Sequence, residues 1–125
     1  MEKKRILIVD DEEAFTRMMK LVLEQTGLYN VGQESKGTQA LATAREFKPD
    51  LILLDVVMPD MDGGDVAAQL QADPLLRNVP IVFLTALVDE KESKGKARLS
   101  GGFPFIGKLV SDEELLQCIE QNLRK

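Results

Sequence analysis

Five residues of the 125-residue chain could do chemistry together: Asp10, Asp11, Asp55, Thr85 and Lys108. Asp10 and Asp11 follow the apolar run Ile6-Leu7-Ile8-Val9, Asp55 follows Leu51-Ile52-Leu53-Leu54, and Thr85 follows Ile81-Val82-Phe83-Leu84. Lys108 stands just past a further run that reaches Ile106. Two carboxylates about 4 Å apart repel by about 4 kcal/mol at a surface-like dielectric, and three repel more. A divalent cation resolves such a conflict. Carboxylate oxygens with a backbone carbonyl and water suit Mg²⁺, which keeps several waters and binds beside phosphates. A hydroxyl and an ammonium on the rim of that site are what the oxygens of a transferred phosphoryl group require. Singly, Asp11 could cap the following helix and Asp55 could open a turn. The chemical reading depends on the five residues meeting.

The elements between them say that they meet. The apolar runs at Ile6, Leu51 and Ile81 are unbroken, as strands buried on both faces should be, with a weaker strand at Tyr29 to Gln33 and another at Phe103 to Ile106. Helical spacing appears at Phe15, Met18, Met19, Val22 and Leu23, ending near Gly27. Two further helices are predicted from Thr38 to Phe47, with Ala40, Leu41 and Ala44 inward, and from Gly64 to Gln71, with Val66, Ala67 and Leu70 inward. A weaker helix is expected over residues 88–99, interrupted by Gly95, which costs about 1 kcal/mol relative to alanine. The last helix opens on the capping box Ser111 to Glu114, ahead of Leu115, Leu116, Ile119 and Leu123. Alternating strands and helices predict an α/β fold: a doubly wound, five-stranded parallel sheet of flavodoxin-like order 2-1-3-4-5 with helices on both faces. In that order the first and third strands are neighbours, and ligands bind outside the carboxyl ends of the strands. Asp10, Asp11 and Asp55 then converge on one crevice.

Composition narrows the function classes. Apolar residues make up 44% and charged residues 30%, the profile of one globular domain over residues 1–125. A formal charge of -5 argues against direct nucleic-acid binding. Lys91, Lys94, Lys96 and Arg98 are interspersed with Asp89, Glu90 and Glu92, a solvated helix face. Apolar runs are too short for a membrane span. Cys118 has no disulfide partner and sits in the last apolar stripe, which predicts a buried thiol and a reducing, cytoplasmic setting. The absence of histidine excludes Ser-His and Cys-His nucleophiles and makes any phosphohistidine donor external.

Four stretches in order, Ile6-Leu7-Ile8-Val9-Asp10-Asp11, Leu53 to Gly63, Leu84-Thr85-Ala86 and Phe105-Ile106-Gly107-Lys108, make the chain resemble a CheY-like response-regulator receiver domain over nearly its whole length. The resemblance implies a stand-alone phosphoacceptor of a two-component phosphorelay. Asp55 would take the phosphoryl group from a sensor histidine kinase or histidine phosphotransfer protein. Asp10, Asp11, Asp55 and the main-chain carbonyl of Val57 would hold Mg²⁺, and Thr85 and Lys108 would bind the phosphoryl oxygens. Thr85 and Phe105 would form the switch, although Phe105 reads equally well as an ordinary core ring. The output surface would be the 88–99 helix, the fifth strand and the last helix, contacting an unknown downstream protein, with the chain a monomer or a phosphorylation-dependent dimer. No enzymatic activity is expected beyond its own phosphorylation and slow dephosphorylation. The slowness is read from apolar Val57 and Leu87, which offer nothing to orient water.

Leu109 follows Lys108 where the family usually has proline, so a trans bond is expected there. That puts the reach of Lys108 in question. The competing reading is a phosphorylation-independent receiver-like scaffold that binds a partner protein. A Mg²⁺-dependent phosphatase would need a leaving-group acid and a substrate lid, and neither is visible.

Overall fold

Apolar runs of four residues are too short for buried helices and become strands. The computed structural model, which describes residues 2–86 and 103–124, places them at β1 (Lys4–Val9), β2 (Tyr29–Glu34), β3 (Leu51–Asp55), β4 (Ile81–Thr85) and β5 (Phe105–Gly107). Between them lie α1 (Glu13–Gln25), α2 (Ala40–Phe47), α3 (Gly63–Ala72) and α4 (Asp112–Leu123), with a 3₁₀ turn at Gly37–Gln39 leading into α2. All pairings are parallel and the order is β2-β1-β3-β4-β5, as the sequence predicts.

Successive side chains of a strand point to opposite faces, and both faces of this sheet are covered. Leu7, Val9, Ile52, Leu54, Phe83 and Phe105 pack with Ala40 and Ala44 of α2 and Val66, Ala67 and Leu70 of α3. Ile6, Ile8, Leu51, Leu53, Leu84 and Ile106 pack with Met19 and Leu23 of α1 and Leu115 and Ile119 of α4. Each fully buried aliphatic side chain contributes roughly 1.5–3 kcal/mol of transfer free energy. No helix among the described residues is long and apolar enough to cross a membrane.

Several details depart from the sequence expectations. The buried stripe of α1 runs through Thr16, Met19 and Leu23, and Met18, expected inside, is 55% exposed. Met18 lies one residue, about 100° of helix, off that stripe. Thr16 can be buried because its hydroxyl donates to the Glu12 carbonyl at 3.1 Å. In α4, Cys118 is half-buried rather than a core thiol, and Ile119 fills the core position. Asn122 is buried, its amide donating to the Cys118 carbonyl at 2.8 Å. The fifth strand starts at Phe105 rather than Phe103, because Pro104 has no N–H to add to the ladder, although its carbonyl accepts from Phe83. Leu87, the 88–99 segment and its mixed charges lie outside the described residues.

The two ends of the sheet are built differently. At the amino end, the Arg5 N–H donates to Asp50 Oδ2 at 2.8 Å, its Nε donates to the Phe47 carbonyl at 2.7 Å, and its guanidinium lies 4.5 Å from the Phe47 ring centroid. At the carboxyl end the chain folds back after β3 so that the Gly63 N–H donates to the Val56 carbonyl at 2.9 Å. A Cβ on Gly63 would stand 2.3 Å from the Asp55 carbonyl oxygen. Glycine is therefore required where the loop closes over Asp55.

Candidate functional site

Register brings the acids together. Val9 pairs with Leu54, so Asp10 emerges beside Asp55 one step beyond the ladder. Asp55 pairs with Leu84 and Thr85 with Gly107, which delivers Thr85 and Lys108 to the same end. Two backbone bonds extend the ladder past the strands: Val56 N–H to the Leu84 carbonyl at 3.1 Å and Lys108 N–H to the Thr85 carbonyl at 2.9 Å. Asp11, Glu12, Asp55, Val57, Thr85 and Lys108 line a crevice of about 370 Å³. Asp10 lies beneath it, only 1% exposed.

Asp10, Asp11 and Asp55 each offer a carboxylate oxygen within 4.8 Å of the others. Asp10 and Asp55 are buried and Asp11 is exposed. Asp10 Oδ1 accepts the Glu12 N–H at 2.9 Å, while its buried Oδ2 is met by the Lys108 ammonium rather than by a backbone donor. Asp55 Oδ1 accepts the Val57 N–H at 3.3 Å. Burial, and then the charge of Asp10, raise the Asp55 carboxyl to about 7 against the lowering influence of Lys108. A knot of three hard oxygen donors, with two of its carboxylates buried, fits a small hard cation.

Lys108 reaches the acids across a trans Lys108–Leu109 bond, since the chain contains no cis peptide among the described residues. Its ammonium lies 2.9 Å from Asp10 Oδ2 and 3.5 Å from Asp55 Oδ2, and its side chain is 8% exposed. A third contact runs to Glu12 Oε1. The Phe15 ring centroid is 5.0 Å from the nitrogen. Burial would lower the lysine pKa, but contacts with Glu12 and Asp10 outweigh it and hold the pKa well above the ordinary value. Leu109, in the place usually held by proline, is 93% exposed.

The structure thus brings together Asp10, Asp11, Asp55, Thr85 and Lys108, with Val57 at the rim and 69% exposed. Thr85 is half-buried at the end of β4. Phe105 sits one strand over, 5% exposed, inside the core shared with α2 and α3. Two acids escaped the sequence reading. Glu12 is one, and the run Asp10-Asp11-Glu12 is its signal. Asp60 is the other: its carboxylate accepts from the Gly37 N–H at 3.2 Å, the Thr38 N–H at 3.0 Å and the Thr38 hydroxyl at 2.9 Å. Those bonds, first the Thr38 N–H, lower its pKa and tie the loop after Asp55 to the entry of α2.

A parallel α/β sheet with an acidic crevice, a hydroxyl and an ammonium at its carboxyl end defines a signalling module of the two-component type. The chain belongs to the response regulator receiver domain family, whose model matches residues 6–120. It is 38% identical over 123 residues to the DNA-binding response regulator MtrA of Mycolicibacterium paratuberculosis, covering 98% of this chain and 52% of that protein. The chain therefore spans about half the length of that curated relative. Among solved structures it resembles the chemotaxis protein CheY4 of Vibrio cholerae, with a TM-score of 0.82 and 30% identity over 97% of this chain and 99% of that one. It also resembles the receiver domain of the sensor histidine kinase PA1611 of Pseudomonas aeruginosa, with a TM-score of 0.84 and 26% identity over 99% and 100% of the two chains. That structure holds a magnesium ion coordinated in its active site cleft.

Proposed function

We propose that the domain is the phosphoacceptor of a two-component relay and that Asp55 takes the phosphoryl group. The observation that carries this reading is the placement of Asp55 Oδ2 within 3.5 Å of the Lys108 ammonium, inside the three-carboxylate knot. Asp10, Asp11, Asp55 and the Val57 main-chain carbonyl would hold Mg²⁺. When bound, the ion would supply positive charge against the phosphoryl oxygens and the crowded carboxylates.

The protein's own residues do the rest. The Asp55 carboxylate attacks phosphorus in line, a new O–P bond forms, and the bond from phosphorus to the donor's leaving group breaks. The leaving group departs with that electron pair, and aspartate ends as an acyl phosphate. Lys108 neutralises negative charge on the transferred group, and the Thr85 hydroxyl donates to one of its oxygens. Ionisation of Asp55 is a precondition, and at a pKa of about 7 the cation-free site is only partly ionised near neutrality. The donor is a phosphohistidine on a sensor kinase or phosphotransfer protein, or a small acyl phosphate. The new charge draws Thr85 inward, and the Phe105 side of the core repacks behind it. Output passes through the surface around β5 and α4 to a downstream protein, and the domain catalyses no reaction besides its own phosphorylation and dephosphorylation.

The test is intact-mass spectrometry after incubation with acetyl phosphate and Mg²⁺. One phosphoryl adduct is expected in the wild type, and none in Asp55→Asn or with EDTA. Absence of an adduct with acetyl phosphate, phosphoramidate and sensor kinases alike would leave a phosphorylation-independent scaffold as the reading.

A further inference from the structure

The Lys108 ammonium has three hydrogens and faces three carboxylates. Two of these, Asp10 and Asp55, belong to the knot suited to a cation. Glu12 stands outside that knot, on the wall of the same crevice. Its backbone is fixed at both groups, because its N–H donates to Asp10 Oδ1 at 2.9 Å and its carbonyl accepts the Thr16 N–H at 3.0 Å. Its side chain is nevertheless 60% exposed. Lys108 is held in the opposite way, with its backbone bonded to Thr85, its stem buried and its ammonium near the Phe15 ring.

When phosphoryl oxygens claim an ammonium hydrogen, one carboxylate has to release it. Asp10 is buried and Asp55 is itself the group that reacts, whereas Glu12 can turn into solvent. We propose that Glu12 is a positioning residue that acts as a latch: it holds the Lys108 ammonium at the crevice until phosphoryl oxygens displace it, and so slows phosphorylation of Asp55. The latch rests on the phosphoacceptor reading above. It takes no part in bond making, and it competes for the cation that the transferred group needs.

The experiment measures the second-order rate constant for phosphorylation by acetyl phosphate at saturating Mg²⁺, followed by intact mass. It compares wild type, Glu12→Gln, Lys108→Met and the double variant, with circular dichroism on each. Glu12→Gln should be faster by about two- to fivefold, the span of one exposed charge pair. The half-saturating Mg²⁺ concentration should stay unchanged, and the gain should vanish in the Lys108→Met background. An equal gain in both backgrounds would mean plain repulsion of the anionic donor and would overturn the latch. A shifted Mg²⁺ midpoint would overturn it in favour of an action through the cation, and an unchanged or slower rate would overturn it outright. Failure of the wild type to form any Asp55 adduct would instead sink the phosphoacceptor reading, and the latch with it.

Discussion

Asp55 is a carboxylate kept against its preference. Its folded pKa of about 7, raised by burial and then by Asp10, stands above the ordinary 3.8. Folding therefore gains from its protonation at low pH, and that contribution is lost as pH rises through about 4 to 7. In EDTA the melting temperature of the wild type should fall, relative to Asp55→Asn, across that interval, leaving the Asn variant the more stable at pH 8. Parallel pH profiles for the two proteins would contradict this. Val57, apolar and 69% exposed at the crevice rim, gives an attacking water no hydrogen bond. Val57→Asn should shorten the phosphoryl lifetime several-fold, read as the decay of the mass adduct after donor removal. The five site residues were legible in the sequence because Asp10, Asp55 and Thr85 each end an unbroken apolar run, Asp11 follows Asp10, Lys108 follows the weaker fifth run, and register does the rest. Glu12 was not, because its partner Lys108 lies 96 residues away and a lone glutamate before a helix looks like a solvated start.

At the scale of elements, unbroken apolar runs make β1, β3 and β4 readable, since only a doubly covered sheet needs them. Helix faces are less readable when a polar residue is satisfied locally: Thr16 displaces Met18 from the α1 stripe by bonding its own helix, and Asn122 does the same in α4. The capping box at α4 is found in half its form, with Ser111 Oγ accepting the Glu114 N–H at 3.1 Å. Ser111→Ala should cost about 1 kcal/mol in urea unfolding. Gly63 was within a motif but its reason was not visible, because the clash is with the Asp55 carbonyl and not with a side chain. Gly63→Ala should cost roughly 1–3 kcal/mol by overpacking and also weaken Mg²⁺ binding, since the loop it displaces carries Val57. Destabilisation with unchanged Mg²⁺ affinity would separate the loop closure from the site.

For the whole molecule, the carboxyl end of the sheet concentrates carboxylates while buried apolar side chains line both faces. A cation that binds only the folded chain must stabilise it by mass action. At ten times its dissociation constant Mg²⁺ should add about 1.4 kcal/mol, a rise of a few degrees in melting temperature. The shift should be smaller in Asp10→Asn and Asp55→Asn. An equal shift in all three proteins would place the ion elsewhere.

The Arg5 contacts with Phe47 and Asp50 give the sheet a sewn end and an open end. Motion and exchange with solvent are then graded along each strand. Backbone amides of Leu51, Ile52 and Leu53, near that seam, should be among the last to take up deuterium, and those of Asp60, Met61 and Asp62 among the first. A change made at the open end would leave β1 and the connection from α2 to β3 still stitched together at the other.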